Sequence, residues 1–158
     1  MPRLTVIGIG SAFADDRAGW SVVDSLTASG EIAGYAERIL VTVCGSPAGE
    51  LLGLLADTEI AIIVDAVRFS GASGTVYRLE SIHSPLAAAK PLSSHGFKLG
   101  DLLALAETLE HCPRVIIIYG VESGPENETD TTMCEDVRRA VMRVAEEIKR
   151  DIADLCPV

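Results

Sequence analysis

The chain has 158 residues, which fits one domain, and its 48% hydrophobic content is ample for a packed core. With only 4% aromatic residues, that core has to be built from Val, Ile, Leu and Ala. A net charge of −10 and a pI near 4.6 repel a phosphate backbone, and the Lys and Arg residues are scattered, which disfavours nucleic acid as a partner.

Short apolar runs alternate with amphipathic stretches, the pattern of an α/β domain. Leu4–Ile9 (LTVIGI) predicts the first strand, Gly8 and Gly10 open a loop, and a helix follows from about Asp16 to Thr27. Arg38–Val43 predicts a second strand. Ser46-Pro47 is a helix start, with Ser as N-cap and Pro at the first helical position, leading into Leu51, Leu52, Leu54 and Leu55. Ile60–Val64 is a continuous apolar run ending in Asp65, suited to a strand covered on both faces.

Further on, Gly71–Leu79 contains two glycines and then a short strand. Residues 80–96 read as irregular, with Pro85 and Pro91 as breakers, and a helix is expected over about Lys98–Leu109. Val115–Tyr119 predicts the last buried strand, and Glu122–Asp130 an exposed acidic loop. The final helix is signalled by a capping-box pattern, Thr132-x-x-Glu135, and by Val137, Val141, Val144, Ile148, Ile152 and Leu155 at spacings of three and four. This apolar face is expected to pack on the core.

The cysteines, Cys44, Cys112, Cys134 and Cys156, form no CxxC pair, so zinc-ribbon and thioredoxin-like readings lose support. A chain with this core does not need disulfides, and reduced thiols are expected. The N-terminus lacks a basic segment followed by a long apolar run, and the longest apolar runs are far too short to span a bilayer. The expectation is a soluble cytoplasmic protein with no membrane partner.

Several catalytic signatures are absent: GxxxxGK[ST], HExxH and GxSxG. Gly8-x-Gly10 invites a dinucleotide-binding reading, but the third glycine position holds Phe13, and Cys44-Gly45 stands where a ribose-binding acid belongs. The glycines also suit a tight strand-to-helix turn.

Asp15-Asp16 follows the first strand. One acid there is accounted for by capping the next helix; a second is surplus to that role. Asp65 ends its apolar run, which in a parallel sheet puts it at the carboxyl edge, where open α/β sheets bind ligands. Its structural alternative is a solvated strand end or a turn bond with Arg68. If the strands are ordered 2-1-3, the loop bearing Asp16 and the strand end bearing Asp65 share one crevice. His95, in Ser93-Ser94-His95-Gly96, lies ahead of a helix and serves equally as a helix-entry residue. His83 and His111 have no comparable acidic partners. Two carboxylates and an imidazole suit a borderline divalent ion such as nickel or zinc, although spacing alone does not bring the three together.

The run Val6-Ile7-Gly8-Ile9-Gly10-Ser11-Ala12-Phe13-Ala14-Asp15-Asp16-Arg17-Ala18-Gly19 resembles the first block of the hydrogenase maturation endopeptidase family, with its G-x-G-N opening and its D-[DE]-x-x-G close. Ile62–Val67, Gly74–Leu79 and Ser93–Leu99 resemble three further blocks of that family, in order and at suitable spacing. The resemblance implies a three-layer α/β fold, with a twisted, mostly parallel five-stranded sheet and helices on both faces, in a single domain over residues 1–158. It implies Asp16, Asp65 and His95 as metal-contacting and catalytic residues. It also implies a nickel-loaded hydrogenase large-subunit precursor as substrate, from which a short C-terminal extension is removed. The nickel is then the substrate's own, and the protein is a monomer or weak oligomer.

Ser11 replaces the family's usual Asn, Asp16 is shorter than the Glu of some members, and Ser123 stands for Pro after the last strand. The end of strand two, Cys44-Gly45-Ser46-Pro47, lacks an Asp-Gly-rich signature. These departures bear on substrate choice more than on fold. The competing expectations are a non-proteolytic metal- or nucleotide-binding α/β module and, more weakly, a thiol protease using Cys44.

Overall fold

The structure is a computed structural model and describes residues 2–81, 108, 113–125 and 131–158. Five strands form one sheet: β1 (Leu4–Ile9), β2 (Ile39–Cys44), β3 (Ile60–Val67), β4 (Val76–Ser81) and β5 (Val115–Glu122). Their spatial order is β2-β1-β3-β5-β4, parallel except for β4, which runs antiparallel to β5. The mostly parallel five-stranded sheet and the 2-1-3 order agree with the sequence expectation.

The helices α1 (Ala18–Ser29) and α3 (Glu135–Leu155) pack together on one face of the sheet. The helix α2 (Pro47–Ala56) covers the other through Leu51 and Leu55. Alternation along β3 divides the core: Ile60, Ile62, Val64 and Ala66 meet α1 and α3, while Ala61, Ile63 and Val67 face the α2 side. Residues on both faces of β1, β3 and β5 are buried, as expected of strands sandwiched between helical layers. On α3, Val137, Val144, Ile148 and Ile152 are fully buried, and each contributes about 1.5–3 kcal/mol relative to exposure.

Several boundaries differ from the sequence reading. Asp16 is not in the first helix; it belongs to a 3-10 turn, Ala14–Arg17, that precedes α1. A second 3-10 turn, Ala33–Tyr35, leads into β2. Ser46 is the N-cap of α2 as expected, but its side chain makes no capping bond; its backbone N–H instead donates to Glu50 Oε1 at 3.2 Å. The helix α3 begins two residues later than the capping-box pattern implied, with Cys134 as N-cap.

The strands β3 and β5 are longer than their apolar runs, because they continue to pair with each other beyond the end of β1. The register runs on through Asp65↔Gly120, Ala66↔Val121 and Val67↔Glu122, whereas β1 stops pairing with β3 at Gly8↔Val64. Asp65 is therefore inside a strand and 1% exposed, which corrects the solvated strand-end alternative. Glu122, expected in an exposed loop, is the last residue of β5 and also 1% exposed. The expected irregular stretch beyond Ser81 and the helix over Lys98–Leu109 fall almost entirely outside the described residues.

Candidate active site

The carboxyl edge between β1 and β3 is shaped first by glycines. A Cβ on Gly8 would lie 2.2 Å from Gly19 O, and one on Gly19 would lie 2.3 Å from Ile9 O and 2.6 Å from Val64 O. A Cβ on Gly10 would lie 2.2 Å from Asp16 O. These three glycines let the start of α1 and the turn before it press directly on the sheet backbone. The space above Gly8 and Gly10 is filled by the protein's own main chain, not left open for a diphosphate. That weighs against the nucleotide-binding reading.

Asp16 is thereby held over the end of β1. Ser11 Oγ donates to Asp16 Oδ2 at 2.5 Å, and Ser11 N donates to Asp16 O at 3.3 Å. Ser11, where the family pattern has Asn, thus orients the acid from within the same loop.

Asp65 occupies the next position along β3 after its pairing with β1 ends, on the face covered by α2. Burial pushes its carboxyl well above the usual carboxylate range, and the negative charge of Asp16 pushes it further; the Ala66 backbone N–H acts in the opposite direction. The turn Ala14–Arg17 that carries Asp16 contacts β3, so the fold brings Asp16 and Asp65 to the same edge. His95 lies outside the described residues, as do His83 and His111. Among the described residues, no three His, Cys, Asp or Glu side chains cluster as a complete metal site.

Cys44 ends β2 beside this edge. Its carbonyl accepts from Gly10 N at 3.1 Å and from Trp20 Nε1 at 3.4 Å. Its thiol is fully buried, and burial, reinforced by Glu50 and Asp65, pushes it up to about 11. A neutral buried thiol is a poor nucleophile, which counts against a Cys44-dependent protease.

Two functional contributions were not legible beforehand. The Glu122 carboxylate accepts from Phe69 N at 3.0 and 2.8 Å and from Gly71 N, so it organises the connection after β3. Beside it, an open cleft of about 500 Å³ is lined by Arg68, Ser70, Glu122, Ser123 and Gly124. Glu122 lies at the head of an acidic, turn-rich stretch, and nothing in its neighbours separates a buried capping acid from a solvated one. Asp15, next to Asp16, does not cap the first helix. Its two oxygens accept from Gly124 N at 2.7 Å and from Cys134 N at 2.8 Å.

A doubly covered, mostly parallel sheet with two acids near its carboxyl edge defines an α/β protein of the kind in which open sheets bind ligands at the topological switch point. The sequence profile of the hydrogenase maturation protease family matches residues 21–151, and the chain belongs to that family. The chain is 27% identical over 122 residues to the hydrogenase expression/formation protein HupD of Rhodobacter capsulatus; the match covers 76% of this chain and 57% of that protein. The chain thus spans little more than half the length of that relative. Its fold is similar to the hydrogenase maturating endopeptidase HybD from E. coli, with a TM-score of 0.79 at 22% identity over 98% of this chain and 94% of that one. It is also similar to the [NiFe] hydrogenase maturation protease HycI from Thermococcus kodakarensis, with a TM-score of 0.70 at 21% identity, covering 94% and 90%.

Proposed function

We propose that this protein is a single-domain cytoplasmic endopeptidase that removes a short C-terminal extension from the nickel-loaded large-subunit precursor of a nickel-iron hydrogenase. Asp16, Asp65 and His95 contact the nickel that the substrate presents. The observation that carries this reading is the pair Asp16 and Asp65 at the carboxyl edge of a sheet belonging to the hydrogenase maturation protease family.

Physical chemistry favours a cation there. Two acids in mutual repulsion, one of them buried, are relieved by a divalent ion that both can ligate. Carboxylate oxygens together with an imidazole nitrogen match a borderline ion such as nickel. A site completed by the substrate's own metal works as a checkpoint, because a precursor without nickel lacks the contact and binds too weakly to be cut. The open cleft lined by Arg68, Ser70 and Glu122 lies on the same edge and offers room for an extended peptide. Water then adds across the scissile amide, leaving a new carboxylate on the subunit and an amine on the released tail.

The test is cleavage of nickel-loaded against nickel-free precursor by the purified protein. Cutting of the loaded form alone is expected, and equal cutting of both overturns the checkpoint. His95→Ala should abolish cleavage of the loaded precursor; retained cleavage removes His95 from the site.

A further inference from the structure

The turn that carries Asp16 presses on the sheet backbone at Gly10. It is a single 3-10 turn, Ala14–Arg17, without a side-chain cap of its own. It is entered through Ala14 at φ +46°, a left-handed conformation disfavoured for a residue with a Cβ. Ser11 fixes Asp16 within this loop.

The neighbouring acid adds a tie to the far end of the chain. Asp15 Oδ2 accepts from Gly124 N at 2.7 Å, 109 residues away in the chain and just past the end of β5. Asp15 Oδ1 accepts from Cys134 N at 2.8 Å, 119 residues away at the N-cap of α3. A negative group at the start of a helix is further favoured by the helix dipole. One side chain thus joins three elements around the carboxyl edge: the loop after β1, the exit of β5 and the beginning of α3. Packing leaves this tie little slack, since a Cβ on Gly124 would lie 3.1 Å from both Asp15 Oδ2 and Cys134 Sγ.

We infer that Asp15 is a positioning residue: by binding the backbone of Gly124 and Cys134 it fixes the Asp16 turn opposite Asp65. The inference rests on the processing function proposed above. It assigns Asp15 no contact with substrate. Its effect reaches the reaction through the placement of Asp16.

Two variants break the tie from opposite sides. Asp15→Asn replaces one acceptor oxygen by an NH₂ that faces a backbone N–H. Gly124→Ala crowds the same carboxylate and leaves Asp15 intact. Steady-state cleavage of nickel-loaded precursor is measured well below each variant's Tm, together with amide hydrogen exchange at Gly124 and Cys134. The expected result is a fall in kcat/KM of about 10- to 100-fold in each folded variant, the range found when groups that orient ligands are removed, with faster exchange at both amides. The double variant should be little worse than the more damaging single one, because both changes act on one contact.

A lowered Tm with kcat/KM within twofold of wild type would show a merely structural role and overturn the inference. So would a loss of rate with amide protection unchanged. Wild-type protein that fails to cut the loaded precursor counts against the processing function itself, an outcome distinct from equal cutting by wild type and Asp15→Asn.

Discussion

Asp16 raises the proton affinity of Asp65 across the point where β1 ends and β3 runs on. Burial is the larger cause and Asp16 the second. Folded protein therefore holds a proton on Asp65 over a pH range in which the unfolded chain has released it. The stability attached to that proton is fully present below the ordinary carboxylate value of about 3.9, and it is lost as pH rises from there through the raised folded value. Asp65→Asn removes the titration, so the variant should gain stability over wild type as pH increases from 4 to 8, read from urea midpoints of metal-free protein. Asp16→Asn should shift the same wild-type dependence toward lower-pKa behaviour, giving a smaller loss at neutral pH. A stability difference between wild type and Asp65→Asn that does not change with pH would contradict this account.

Gly19 is the tightest point of contact between α1 and the sheet. Its Cβ position is met by two backbone oxygens, Ile9 O and Val64 O, and backbone cannot rotate out of the way as a side chain can. Gly19→Ala should destabilise by about 3 kcal/mol, the upper end of ordinary overpacking. Because the shift moves α1 relative to β3, any folded fraction should also cleave poorly. Equilibrium unfolding in urea measures the first effect, and cleavage assays at low temperature measure the second.

Glu122 offers a contrasting loss without a change of volume. Glu122→Gln substitutes an NH₂ donor for one oxygen of a buried group that accepts from the backbone N–H groups of Phe69 and Gly71. Hydrogen bonds to a charged acceptor are each worth about 1.5–3 kcal/mol, so a destabilisation of about 2–3 kcal/mol is expected. Exchange of the Phe69 and Gly71 amides should accelerate in the same variant, as measured by hydrogen exchange under native conditions.

Cys44 tests the thiol reading. With its thiol pushed up to about 11 and fully buried, it should resist iodoacetamide at pH 7.5 while the protein stays folded, and react once urea unfolds the chain. Cleavage should survive alkylation of the native protein. Rapid native modification of Cys44 accompanied by loss of cleavage would restore the thiol mechanism; peptide mapping after labelling shows which occurs.

Much of the fold could be read in advance because it follows from local pattern. The apolar runs Leu4–Ile9, Ile60–Val64 and Val115–Tyr119 all lie within buried strands, and the periodic valines and isoleucines of the final helix face the core. Ser46-Pro47 marked the start of α2 correctly, since Pro fits only the first turn of a helix. Strand ends were harder to read. The strands β3 and β5 continue through Asp65 and Glu122 because each supplies the other with ladder partners, and a polar residue in an apolar run gives no sign of that pairing.

Within the candidate site, two acids and their order were visible: one after the first strand and one closing the apolar run of the third. The division of labour between Asp15 and Asp16 was not. Both were candidates for capping the adjacent helix, and neither has that role; Asp15 instead reaches Gly124 and Cys134 at the far end of the chain.

The sequence by itself determined the α/β class, the core composition and which acids adjoin the apolar runs, because these depend on periodicity and on the chemistry of neighbouring residues. Only the tertiary structure decided that Asp65 is buried, that Asp16 shares its edge, and that Asp15 ties the turn in place. Those properties arise from close approach between segments distant in the chain, 109 and 119 residues apart for the two Asp15 contacts, and no local pattern encodes which distant groups will be there.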